Sequence, residues 1–153
     1  MFSTKAEYGV RVMAHLAGRE EAEPVALAAI ATAEGLPLAY LEHLMARLRR
    51  AELVDSRRGA HGGYSLARPA GAISMAEVVE ALEGDIAPIE CISLGPDGAV
   101  HCSREFHGDG VCPTKLLWAR VHGSIVTTLQ EMTLSDLANP APDPVPERDE
   151  TAV

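Results

Sequence analysis

A mainly α-helical fold is predicted by three observations. Ala and Leu dominate a composition with only 4% aromatic residues, runs of β-branched residues are few, and apolar residues recur at helical spacing between capping residues and glycines. At 153 residues and 47% hydrophobic content, the chain can fill the core of one domain or of a small domain with an appendage. Thr4-Lys5-Ala6-Glu7 has the form of a capping box, followed by Tyr8, Val12, Met13 and Leu16 at helical spacing up to Gly18. A second, short helix is expected over Val25 to Glu34, stopped by Gly35. A third begins near Pro37, with Leu41, Leu44, Met45 and Leu48 at i, i+3, i+4 and i+7. That stripe leaves Ala39, Glu42, His43, Ala46, Arg47 and Arg50 on the outside.

Leu53 to Arg57 and Tyr64 to Arg68 alternate like two short strands, joined by the Gly-rich tip Arg58-Gly59-Ala60-His61-Gly62-Gly63. Two helices across a tight turn, the second with a basic outer face, followed by such a hairpin, predict a winged helix-turn-helix. Ser74 and Glu77 then form a capping box for a helix ending at Gly84. A long helix is expected from Pro113 to Met132, where Leu116, Leu117, Val121, Ile125, Leu129 and Met132 make a wide apolar stripe suited to a copy of itself. Folding back on its own domain is the alternative. Thr133 to Leu137 adds one more turn. The fold class is therefore mainly α: a winged helix-turn-helix with a small β-hairpin wing over residues 1–84, a cysteine-bearing loop over 85–112, a long C-terminal dimerisation helix over 113–138, and an acidic, Pro-rich, disordered tail over 139–153.

Charge and termini narrow the function. The net charge is −9, which disfavours indiscriminate binding to polyanions, yet Arg47, Arg49, Arg50, Arg57 and Arg58 cluster beside the expected helix-turn-helix. No window approaches the roughly 20 apolar residues of a membrane span, and Met1 to Lys5 lacks the apolar core of a signal peptide. A cytoplasmic protein with no membrane role is expected. No Ser-His-Asp, paired-carboxylate or phosphate-loop arrangement is present, so an enzyme is not expected.

Candidate base and phosphate contacts are Ala39, Tyr40, Glu42, His43, Arg47 and Arg50, with Arg58 and Gly59 at the wing tip aimed at the minor groove. Glu42 can accept from cytosine, or it can pair with Arg47 or Arg49. Arg57 and Arg58 can equally be solvated turn charges.

Cys91, Cys102 and Cys112 all lie in the Gly-rich loop, which has few large apolar residues. Loops longer than about 15 residues inside a domain are usually functional or disordered. Three thiols cannot all pair internally. Soft iron or zinc would give such a loop the core it lacks, but free cysteine is often simply buried, and this spacing matches no tight zinc knuckle. Both readings stand on these residues alone.

The chain resembles the bacterial winged-helix regulators of the IscR, NsrR and RirA type. The residues that carry the resemblance are Glu7-Tyr8-Gly9-Val10-Arg11, Leu38 to Glu42 with Leu44, Arg47 and Leu48, Leu53-Val54 with Arg58 to Tyr64, and Cys112 with Leu117-Trp118. It spans Phe2 to about Leu137. The resemblance implies a homodimeric DNA-binding regulator, in most relatives a repressor, whose iron-sulfur cluster on Cys91, Cys102 and Cys112 senses iron, iron-sulfur status, nitric oxide or redox stress. The C-x10-C-x9-C spacing is wider than is common in that group. Where IscR-like members have a histidine, this chain has Lys115, which has no lone pair to donate. The resemblance then implies Glu7, from the first helix of the second subunit, as the fourth ligand, with a 4Fe-4S cluster favoured and a 2Fe-2S cluster as the alternative. His101 and His107 are substitutes for Glu7, and Glu7 itself can instead reach back to the Thr4 cap. A cluster-free thiol/disulfide sensor is the second functional reading.

Overall fold

The cap of the first helix, α1 (Thr4–Ala17), lies one residue earlier than expected. Ser3, not Thr4, is the N-cap, and its side chain accepts from the Lys5 amide. Counted from Ser3, the third helical residue is Ala6, so no local carboxylate can complete a box. Glu83, distant in sequence, takes that place and accepts from the Ser3 amide at 3.0 Å. The computed structural model describes residues 2–19, 23–95, 98–104 and 112–140.

Helix α2 (Leu27–Glu34) begins later than expected because Val25 is used elsewhere. It pairs as an isolated antiparallel bridge with Tyr64. Gly35, at φ +66, ends α2 and lets the chain turn into α3 (Leu38–Arg50). Leu41, Leu44, Met45 and Leu48 are all buried, as their spacing predicts. Helix α3 ends in a Schellman arrangement: the Leu53 amide bonds Leu48 O and the Glu52 amide bonds Arg49 O, both at 3.0 Å. Glu52 occupies the left-handed position, at φ +58.

The wing is an antiparallel pair, β1 (Val54–Arg57) and β2 (Gly63–Leu66), in register Val54↔Leu66 to Arg57↔Gly63. A 3-10 turn, Ala70–Ala72, leads to α4 (Met75–Glu83), which carries the expected Ser74/Glu77 capping box. Helix α4 lies centrally, touching α1, α3 and α5. Its Leu82 is fully buried, and a Cβ at Gly9 would overlap Leu82 Cδ1. Gly9 is what allows α1 and α4 to approach this closely.

The segment after α4 departs from expectation. It is not a loop without structure, because Ile92–Leu94 (β3) and Val100–Cys102 (β4) pair antiparallel with Ile92 opposite Cys102. Ile86, Ile92 and Cys102 are buried. Three-residue strands are too short to leave a periodic signal, yet pairing them satisfies backbone groups that burial would otherwise orphan. The long helix α5 (Lys115–Glu131) starts after Pro113 rather than at it. It is followed by α6 (Leu134–Ala138), whose Leu134 is fully buried. Main-chain bonds Met75 N–H to Met132 O and Leu134 N–H to Ile73 O tie this junction to the start of α4. Residues 141–153, which include most of the expected tail, lie outside the described residues.

Two substitutions check this packing. Gly9→Ala is expected to lower stability by about 1–2 kcal/mol despite its better helix propensity, since overpacking against a side chain with nowhere to turn costs more. Glu52→Gly is expected to raise stability by about 0.5–1 kcal/mol through relief of the left-handed backbone. Both are read by thermal unfolding, and a stabilised Gly9→Ala would contradict the α1–α4 contact.

Candidate functional site

Two groups of side chains carry chemistry, one on α3 and the wing and one around the cysteines. On α3, Ala39, Glu42, His43, Arg47 and Arg50 are exposed. Tyr40 is half-buried, edge-on to Tyr8 with ring centroids 5.7 Å apart, so much of its ring serves packing between α1 and α3. Glu42 forms no ion pair among the described residues, and the arginines expected to compete for it are engaged elsewhere. Arg49 Nη1 donates to Ser56 Oγ at 3.1 Å, tethering α3 to β1. Arg47 Nη1 donates to the Leu82 carbonyl at 3.2 Å. The expected outward, groove-facing role of Arg47 thus meets a rival: its guanidinium already serves the end of α4, because that helix crosses α3 on this side.

Arg50, Arg57 and Arg58 have no partner among the described residues, and Gly59 at the wing tip (φ +112) has open space around it. The face therefore presents unneutralised cations along α3 and the wing, with a free carboxylate at Glu42 among them. That is a surface able to hold phosphates and to accept a hydrogen bond from a base.

The second group is assembled by the β3–β4 hairpin and the start of α5. Cys91 and Cys112 are half-buried and Cys102 is buried. The Ser103 amide donates to Cys91 O at 2.9 Å, holding the two arms together where Cys91 and Cys102 stand. The Arg104 amide favours the Cys102 thiolate, but burial and the adjoining thiols of Cys112 and Cys91 outweigh it and push the Cys102 thiol up. Cys112 is held below an ordinary thiol by the Thr114 hydroxyl, 3.4 Å from its sulfur, and by the Thr114 amide; burial opposes this, and hydrogen bonds from Cys102 and the Lys115 amide reinforce it. A cysteine at a helix N terminus gains thiolate character from the free amides there. The sequence carries that signal in Cys112-Pro113-Thr114 ahead of an apolar stripe.

Within this chain the fourth expected ligand stands apart. Glu7 is exposed on α1 and lines a groove with Met75, Val79, Leu129 and Met132, at the C-terminal end of α5. Cys112 precedes the N-terminal end of the same helix, whose 17 residues span about 25 Å at 1.5 Å each. Glu7 is also not drawn to the α1 cap, which Ser3 and Glu83 occupy. Among the described residues, no three His, Cys, Asp or Glu side chains form a group that could hold a metal ion. What the donor chemistry offers is three neighbouring soft thiols, Cys91, Cys102 and Cys112, of the type that ligates iron-sulfur clusters. His101 is exposed, and His107 lies outside the described residues.

A family model for Rrf2, described as an iron-dependent transcriptional regulator, matches residues 2–140. Protein rrf2 of Nitratidesulfovibrio vulgaris is 36% identical over 139 residues, covering 91% of this chain and 87% of that protein. CymR (YrzC), the global cysteine regulator of B. subtilis, has a similar structure, with TM-score 0.74 and 34% identity over 93% of this chain and 98% of that one. IscR of T. potens gives TM-score 0.70 and 36% identity over 90% of this chain and 85% of that one. These relatives are regulators, not enzymes, in keeping with the resemblance drawn from the sequence. The chain belongs to the Rrf2 family of winged-helix, DNA-binding transcriptional regulators.

Proposed function

We propose that this chain is a homodimeric repressor whose affinity for operator DNA is controlled by an iron-sulfur cluster on Cys91, Cys102 and Cys112, with Glu7 of the second copy as the fourth ligand. The observation that carries this reading is the gathering of the three thiols between one hairpin and the start of α5. A cluster held there by the three thiols would supply a crosslink that iron shortage, nitric oxide or an oxidant would break. With one hard oxygen donor beside three thiolates, the 4Fe-4S form is favoured over 2Fe-2S. The separation of Glu7 from the thiols of its own chain supports a ligand contributed between subunits. Dimerisation through α5 is supported by its exposed apolar side chains, since Leu116 and Leu117 keep 64% and 56% of their surface. Glu42, His43 and Arg50 meet the major groove, Ala39 and Tyr40 flank them, and Arg58 with Gly59 enters the minor groove. Among the described residues, no helix is long and apolar enough to cross a membrane, and a cytoplasmic site of action follows from binding DNA.

A second reading is favoured by the contact between Cys102 and Cys112. A peroxide could oxidise the Cys112 thiolate to a sulfenic acid, releasing hydroxide, and the Cys102 thiol would then attack that sulfur, forming the disulfide and releasing water. Similarity to CymR, the global cysteine regulator of B. subtilis, supports keeping this path beside the first.

Purification without oxygen decides between them. The cluster reading expects coloured protein with bound iron and sulfide, at least about tenfold change in operator affinity on cluster loss, and loss of both in Glu7→Ala. Colourless, iron-free protein that still responds to peroxide would favour the disulfide reading. In metal-free protein, iodoacetamide is expected to modify Cys112 ahead of Cys102, followed by peptide mass spectrometry. The reverse order would contradict the thiol environments described.

A further inference from the structure

The last turn of α4 is gripped from two sides. Its Leu82 carbonyl is one of those a helix C terminus leaves without an intrahelical partner, and Arg47 from the recognition helix fills the vacancy at 3.2 Å. A cation at this end also complements the helix dipole, and a charged donor makes the stronger kind of hydrogen bond. On the other side, the Glu83 carboxylate accepts from the Ser3 amide and hydroxyl and pairs with Lys5 Nζ at 3.5 Å. Burial works against ionising Glu83, yet these partners hold it below the ordinary carboxylate range. The Leu82 side chain fills the space left by Gly9. One residue beyond Glu83, Gly84 (φ +90) turns the chain into the segment that bears Cys91. The root of the cysteine segment is therefore fixed to α1 and, through one guanidinium, to α3. Arg49 reaches the wing instead, and Arg50 is free among the described residues.

We propose that Arg47 is a positioning residue: through the Leu82 carbonyl it sets the recognition helix against the root of the cysteine segment, and so passes the state of the thiols to the DNA-reading face, rather than reading a base or a phosphate. Lying bidentate on a guanine would require its guanidinium to leave that carbonyl. The inference rests on the regulatory reading of the cysteines given above.

The test uses the full chain purified without oxygen, and a labelled duplex that the wild-type protein selects from a random-sequence pool. Affinity is measured before and after hydrogen peroxide, across a salt series, for wild type, Arg47→Met and Arg47→Lys. In Arg47→Met the selected sequence and the salt slope are expected to match wild type, while the affinity ratio between the two states shrinks by at least about fivefold toward one. Arg47→Lys is expected to retain part of the ratio, and it carries the comparison if Arg47→Met fails to melt cooperatively. A merely structural role would weaken both states equally and leave the ratio intact. An intact ratio overturns the inference, as does a salt slope shallower by about one, the mark of a lost phosphate contact, or a relaxed preference at one base pair, the mark of a lost base contact. A ratio of one in the wild type would instead remove the regulatory reading itself, and this inference with it.

Discussion

The contact on which the rest of this structure depends is the seating of Leu82 in the space that Gly9 leaves on α1. A fully buried leucine against a helix with no Cβ brings α4 close to α1. At that distance Arg47 reaches a main-chain carbonyl and Glu83 reaches the Ser3 cap. Interiors packed at crystal-like density do not deform smoothly, so a shift at this crossing must be shared by every helix that meets there. Helix α4 meets α1, α3 and α5, and so it is the element through which the DNA-reading face and the cysteines are joined.

The other end of α4 is held by main chain rather than by side chains. Met75 and Leu134 donate to Met132 and Ile73, and capping boxes at Ser74 and Thr133 face each other across this bridge. Helix α5 is thus fixed to the winged domain at its C-terminal end, while its N-terminal end carries Cys112 and an exposed apolar face. A strut fixed at one end and chemically sensitive at the other is suited to transmitting a local change at the thiols. The proposed DNA-reading surface is small: arginines on α3 and the wing without partners among the described residues, and the carboxylate of Glu42, which forms no ion pair among them.

Much of this was legible in the sequence, and what was not has identifiable causes. Periodicity placed Leu41, Leu44, Met45 and Leu48 inside because burial on a helix obeys its own spacing. Ser74 and Glu77 were readable as a box because both partners are local. The α1 cap was misplaced by one residue because the carboxylate completing it is Glu83, which no local pattern can supply. Arg47 was placed correctly on the outer face of α3, but periodicity cannot tell which neighbouring element crosses that face. The β3–β4 hairpin left no sequence signal because its strands are only three residues long, too short for alternation to stand out. The separation of Glu7 from the cysteines of its own chain could not be read from spacing at all, since it turns on the length of α5 and on which end of that helix α1 meets.

Amide hydrogen exchange on the full chain, with the cysteines intact and then alkylated, tests most directly whether thiol state reaches the DNA-reading helix through α4. Changed protection is expected at Leu82 to Gly84 and along α3, together with the cysteine hairpin. A change confined to residues 85–104 and the start of α5, with α3 protection unaltered, would contradict this account.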